Sequence, residues 1–171
     1  MVSLLRYDLA RKIIMLVHTA YLVVPFVFGD PVQLQQVILN LVVNASEAIG
    51  TAPDGPREIR ITTALRAAGV VEVRVRDTGV GAKPSELERM FERFVSTKPG
   101  GLGMGLAISR SIVEAHGGRI VAEANPDRGL TLRVELPCDG SPATDPEALR
   151  ARPIDPLVWD QQRMAGGRHR L

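Results

Sequence analysis

The chain has 171 residues, of which 45% are hydrophobic and 23% charged, with a net charge of +2. It is long enough for one ordinary domain with a sizeable core, and too apolar for a disordered chain. The small net charge gives no argument for nucleic acid, and 4% aromatic content leaves no base-stacking surface. The single cysteine, Cys138, excludes an internal disulfide, and no Cys/His cluster suggests zinc. A cytoplasmic protein is the default expectation.

Residues 13–28 form an uncharged run after Arg11-Lys12. A spanning helix needs about 20 apolar residues, and His18 and Pro25 interrupt this shorter stretch. Two short strands, over 13–19 and 22–28, are the expectation, and any membrane contact would have to come through this segment. Gly29-Asp30-Pro31 then reads as a helix start, with aspartate as N-cap and proline in the first turn. The helix is predicted to run to Ile49, with Gly50 as its stop.

Leu34, Val37, Ile38, Leu41, Ala45, Ala48 and Ile49 recur at three and four and mark its core face. Gln36, Asn40, Asn44 and Glu47 make a polar stripe on an otherwise greasy cylinder. For a merely solvated face Lys or Glu would serve better than two asparagines, which are poor helix formers. Amide oxygens suit Mg²⁺, so the sharper expectation is a stripe facing a pocket.

Alternating residues predict a strand over 59–65 and a hairpin partner over 70–76. Asp77 shares the parity of Val71, Val73 and Val75, so its carboxylate is expected to point inward and to meet a hydrogen-bond donor. Asp77-Thr78-Gly79-Val80-Gly81 opens a long polar stretch that closes at Gly101-Leu102-Gly103-Met104-Gly105. A connection of about twenty residues between glycine clusters suggests a hinged lid over 82–102, with Leu87, Met90, Phe91 and Phe94 available to dock it. Residues 106–116 read as a helix with Ile108, Ile112, Val113 and Ala115 inward, ended by Gly117-Gly118. Residues 119–124 and 130–136 read as strands, the second with Leu130, Leu132, Val134 and Leu136 on one face. The fold class expected is α+β: a two-layer sandwich of about five mixed strands with helices on one face. Three segments follow: 1–28 as an N-terminal remnant and strand hairpin, 29–137 as the main domain, and 138–171 as a proline-rich tail with at most a helical turn near Trp159.

Four features converge on one chemistry: an inward aspartate, an Asn/Asn stripe, a loop carrying Thr97-Lys98, and glycines opening a helix. The last offers free amides and a positive dipole end to phosphate. It is not a Walker A loop, because no Gly-Lys-Ser/Thr follows, nor a Rossmann fingerprint, because no strand leads into it. In this order and spacing the chain resembles the ATP-binding domain of sensor histidine kinases, in the gyrase/chaperone/histidine-kinase/MutL ATPase superfamily. Asn40 to Ala48 resembles the N box and Asp77-Thr-Gly-Val-Gly81 the G1 box. Phe91-Glu-Arg-Phe94-Val-Ser-Thr-Lys98 resembles the F box, and Gly101-Leu-Gly103-Met-Gly105-Leu the G2 box.

The resemblance implies a Bergerat-type fold, ATP and Mg²⁺ as cofactors, and donation of the γ-phosphate to a histidine outside this chain. Asp77 would accept from the adenine amino group, Asn44 would ligate Mg²⁺, Asn40 would lie beside the phosphates, and Lys98 would reach them from the lid. Glu47, Gly79, Gly81, Phe94, Thr97, Gly101, Leu102, Gly103, Met104, Gly105, Leu106 and Thr131 complete the implied nucleotide-binding set. Asn40, Asn44 and Lys98 are its catalytic members. Partners implied are an acceptor-histidine dimerisation domain or a response regulator in trans. Two departures stand out: Leu130 occupies a position where the family often has Thr, and none of His18, His116 and His169 has an acceptor's helical context. His116 is expected to be structural. The alternative readings are a nucleotide-gated interaction module without catalysis, or a serine kinase or ATPase of the same superfamily.

Overall fold

The structure is a computed structural model that describes residues 14–20, 25–52, 54–66, 69–95 and 103–138. They form strand β1 (Met15–Ala20), helix α1 (Pro31–Gly50), strands β2 (Glu58–Arg66) and β3 (Val70–Asp77), and two 3-10 turns (Pro84–Glu86 and Arg89–Phe91). Helix α2 (Gly105–Ala115) and strands β4 (Arg119–Ala124) and β5 (Leu130–Pro137) follow. The sheet order is β1-β2-β3-β5-β4, and one hydrophobic core lies between the sheet and the two helices. This is the mixed five-strand α+β architecture expected.

Helix α1 starts where Asp30 dictates. The Asp30 carboxylate accepts from the amides of Val32 at 2.8 Å and Gln33 at 3.3 Å, two of the donors a helix start leaves unpaired. The far end differs from expectation. Gly50 stays helical, and Thr51 closes the helix with its amide on the Glu47 carbonyl and its hydroxyl on Ala48. Val37, Leu41, Val42, Ala45 and Ile49 are buried against Ile59, Val75, Leu132 and Val134 of the sheet.

β2 and β3 form the predicted hairpin, from Ile59 opposite Asp77 to Arg66 opposite Val70. The expected hairpin within residues 13–28 is not what the sheet contains. β1 lies parallel to β2, with Met15 opposite Glu58, and α1 is the crossover that a parallel neighbour requires. Residues 25–28 form no strand, which suits Pro25 with its missing amide donor, and residues 21–24 lie outside the described residues. So does the expected turn near Trp159.

α2 also turns differently about its axis than its apolar pattern suggested. Ala107, Ser109 and Val113 are buried and Ile112 packs on the core, whereas Ile108 and Ala115 are exposed. Small residues face α1 because the helices approach closely there. The predicted stop holds: Gly117 has φ +70° and the Gly118 amide returns to the Val113 carbonyl at 2.9 Å.

The opposite face of the sheet carries charge. Glu72 is buried at its centre, held by Arg74 Nε at 2.7 Å and Arg66 Nε at 2.9 Å, with Arg133 nearby at 3.6 Å. Arginine stems cover a carboxylate that strand alternation alone would place in water. No helix among the described residues is long and apolar enough to cross a membrane.

Candidate nucleotide-binding site

Asp77 ends β3 and is 2% exposed. Its inward carboxylate meets the donors that burial requires: Oδ1 accepts from the Gly79 amide at 2.8 Å and the Leu130 amide at 3.3 Å. Two backbone donors on one oxygen fix the plane of the carboxylate. Gly79 is itself pinned against α1: a Cβ there would come within 2.7 Å of Ala48, and the Val80 amide bonds the Ala48 carbonyl at 3.3 Å. Gly81, with φ +70°, turns the chain away past Gly129.

The stripe on α1 leads from this loop to α2. Asn40, Asn44 and Ala48 succeed each other at one-turn spacing on one ridge, so Ala48 under Gly79 places Asn44 a turn away from the Asp77 loop. Asn44 is half-buried, and Glu47 is exposed beside it. At the other end Asn40 Nδ2 donates to the Gly105 carbonyl and to Ser109 Oγ, both at 3.3 Å. The fully buried Ser109 hydroxyl donates to the same Gly105 carbonyl at 2.9 Å. The ridge thus joins the Asp77 loop to the first turn of α2. That turn has no side-chain cap at Met104, and a Cβ on Gly105 would meet nothing within 4 Å. Leu106 anchors the turn on the core.

The lid is anchored more than its polarity suggested. Phe91 is buried, and Ala82, Leu87 and Met90 pack on the core. Phe94 does not dock; it is exposed, with φ +65°, and its amide bonds the Gly103 carbonyl at 3.1 Å. That bond draws the two sides of the lid's base together. Phe94 faces an apolar groove of about 460 Å³ along the outer side of α2, with Arg93, Met104, Ile108 and Ile112. It is therefore set apart from Asp77. Thr97, Lys98, Gly101 and Leu102 lie outside the described residues.

Thr131 needs correcting. Leu130, Leu132, Val134 and Leu136 are in the core, so Thr131 projects from the opposite face, paired with Arg76 and Glu123. It cannot line the Asp77 pocket, and Leu130 sits there instead. The alternation of β5 itself carried that signal. Two residues escaped the sequence reading, Asn125 and Gly129, both in the β4–β5 turn. Asn125 Nδ2 donates to the carbonyls of Asp77 at 3.0 Å and Arg128 at 2.9 Å. A Cβ on Gly129, which has φ +84°, would fall 2.1 Å from the Asp77 carbonyl oxygen. Asn-Pro-Asp-Arg-Gly marks a turn in sequence, but nothing local says which strand the turn must serve.

The profile of the Histidine kinase-, DNA gyrase B-, and HSP90-like ATPase family matches residues 29–140. Among curated proteins, the chain is 47% identical to Sensor protein FixL of Bradyrhizobium diazoefficiens over 111 residues, covering 65% of this chain and 22% of that protein. It is 41% identical to Sensor histidine kinase ZraS of Klebsiella oxytoca over 140 residues, covering 81% and 29%. The chain thus spans less than a third of either relative. The catalytic domain of histidine kinase ThkA, solved nucleotide-free, superposes with TM-score 0.68 at 31% identity, covering 79% of this chain and 86% of that one. Full-length ShkA, solved in complex with AMPPNP, superposes with TM-score 0.70 at 28% identity, covering 82% and 29%. With the five-strand sheet, the Asp77 loop and the Asn40–Asn44 ridge in the same chain, the conclusion is that this protein belongs to the histidine kinase-, DNA gyrase B- and HSP90-like ATPase family, in its sensor histidine kinase branch.

Proposed function

We propose that this domain binds ATP with Mg²⁺ in the cytoplasm and passes the γ-phosphoryl group to a histidine on a separate helical hairpin, from which a response regulator takes it. The observation that carries this reading is the α1 ridge, bonded to α2 at Asn40 and packed beneath the Asp77 loop at Ala48. At 1.5 Å per residue, it sets a base-recognising carboxylate about 12 Å along the helix from a phosphate-seeking helix end. Asp77 accepts from the exocyclic amino group of adenine; guanine would present a carbonyl there, which the carboxylate repels. The uncapped α2 terminus faces the phosphates, with open space at Gly105 for their approach, and Lys98 adds a point charge from the lid.

The donors present fit Mg²⁺. The ridge offers the amide oxygen of Asn44 with Glu47 one turn on, and the described residues hold no cluster of three or more His, Cys, Asp or Glu. One or two protein oxygens, with the rest supplied by phosphate and water, is the usual way this ion is held. When bound it neutralises charge at the γ-phosphate during in-line transfer.

Two histidines lie outside the helical-hairpin context that this reading assigns to the acceptor. His18 is in β1, and His116 caps α2 with Nε2 on the Asp30 amide at the start of α1 and Nδ1 on the Ile112 carbonyl of its own helix. The acceptor hairpin would pack on exposed apolar surface, at Phe28 and Val32 by the start of α1 and in the α2 groove. The test is incubation with labelled ATP, with and without such a hairpin, followed by acid treatment. Acid-labile label appearing only with the hairpin is expected. Acid-stable label would indicate a serine kinase, ATP binding without transfer would indicate a nucleotide-gated module, and acid-labile label on the isolated chain would mean that it contains the acceptor.

A further inference from the structure

We infer that Asn125 is a positioning residue for base recognition, setting the Asp77 carboxylate through the β4–β5 turn. The inference rests on the proposed role of Asp77 and extends it to a residue that touches neither base nor phosphate.

The geometry is a relay across the sheet. Asp77 Oδ1 takes one of its two backbone bonds from Leu130, so the carboxylate's orientation depends on where the Leu130 amide lies. Leu130 is the first residue of β5, directly after Gly129, and the course of the preceding turn decides the position of that amide. Asn125 fixes the turn from within. Its side-chain amide spans the Arg128 carbonyl, inside the turn, and the Asp77 carbonyl, on the neighbouring strand. Its backbone amide closes the turn on the Gly129 carbonyl at 3.1 Å. One side chain thus ties the base-recognising residue to the turn that orients its carboxylate.

Thr131 completes the relay from the opposite face. Its hydroxyl donates to Asn125 Oδ1 at 2.6 Å, which orients the amide so that its NH₂ points at Asp77 and Arg128. Asparagine offers the required acceptor and two donors in one plane; aspartate lacks the donors and serine the reach. The buried hydroxyl that cannot reach the pocket still acts on it, through Asn125.

The relay is tested by calorimetric titration of ATP and GTP, each with Mg²⁺, into the full chain and its variants. The readout is the ratio of the two affinities. A purely structural role for Asn125 would weaken both nucleotides alike and leave that ratio unmoved. Asn125→Ala and Asn125→Asp are each expected to lower the ATP preference about tenfold. Thr131→Val, which removes one hydroxyl at constant shape, should lower it about threefold, and Thr131→Ser should restore it. If Asn125→Ala fails to fold, the Thr131 pair still decides, and a ratio in Thr131→Val equal to wild type overturns the inference. Asp77→Ala separates this from the underlying reading. A ratio unmoved by Asp77→Ala removes base recognition from Asp77 altogether. A ratio collapsed by Asp77→Ala but unmoved by the Asn125 and Thr131 variants removes only the relay.

Discussion

The Nε2 atom of His116 accepts a hydrogen bond from the Asp30 backbone amide at 3.0 Å, joining the end of α2 to the start of α1. Its Nδ1 lies 2.8 Å from the Ile112 carbonyl, which can only accept, so Nδ1 carries the proton and Nε2 the lone pair. Gly29 completes the arrangement, because a Cβ there would stand 2.3 Å from the imidazole Cδ2. With Asn40 bonded to Gly105, the antiparallel helices are clamped at both ends of their contact.

His116→Ala should destabilise the fold by about 1–2 kcal/mol, through one lost bond at a helix cap and an unfilled space. Gly29→Ala should cost about 1–3 kcal/mol by displacing the ring. Urea denaturation checks both. Wild-type stability in His116→Ala would mean that the clamp contributes nothing.

For Asp77→Ala, ATP affinity is expected to fall about tenfold or more, from loss of a carboxylate hydrogen bond in a site shielded from water. Wild type should bind GTP poorly. Equal affinities for the two nucleotides by calorimetry would dismiss Asp77 as the base contact.

Glu72 predicts an acid-side loss of stability. Burial works against its charged form, but hydrogen bonds from Arg74 and Arg66 overcome this and hold the carboxyl below its usual range. As pH falls, the unfolded chain therefore takes up this proton first. The stabilisation is complete above the ordinary glutamate pKa of about 4.3 and is lost as pH drops through the lower folded value. Glu72→Gln should flatten that part of the profile and cost about 2 kcal/mol at neutral pH by leaving the arginines short of a partner. A profile as steep as wild type below pH ~4 would show that other carboxylates carry the effect.

Phe94 holds a left-handed backbone that an aromatic residue adopts at a cost of about 1–2 kcal/mol. Phe94→Gly should leave thermal stability unchanged or raised, because the ring is exposed and docks nowhere in the core. Phosphoryl transfer to an acceptor hairpin should fall severalfold, because the groove along α2 loses an apolar wall. Full transfer with raised stability would make the strain incidental.

Local pattern was enough for what depends on neighbours in the chain. Asp30-Pro31 set the start of α1, alternation set the β2–β3 hairpin, and the parity of Asp77 with Val75 set its inward course, because each follows from backbone geometry over a few residues. The order of the four boxes carried the family because order and spacing along the chain belong to the sequence itself. Tertiary structure decided what depends on distant partners. Parallel pairing placed β1, since alternation names a face but no neighbour. Close approach of two helices chose Ser109 over Ile108 for the buried side of α2. Three arginines from three strands covered Glu72, which no single strand could foretell. Asn125 acts across 48 positions on Asp77, and only the folded sheet brings that side-chain amide within 3.0 Å of its carbonyl.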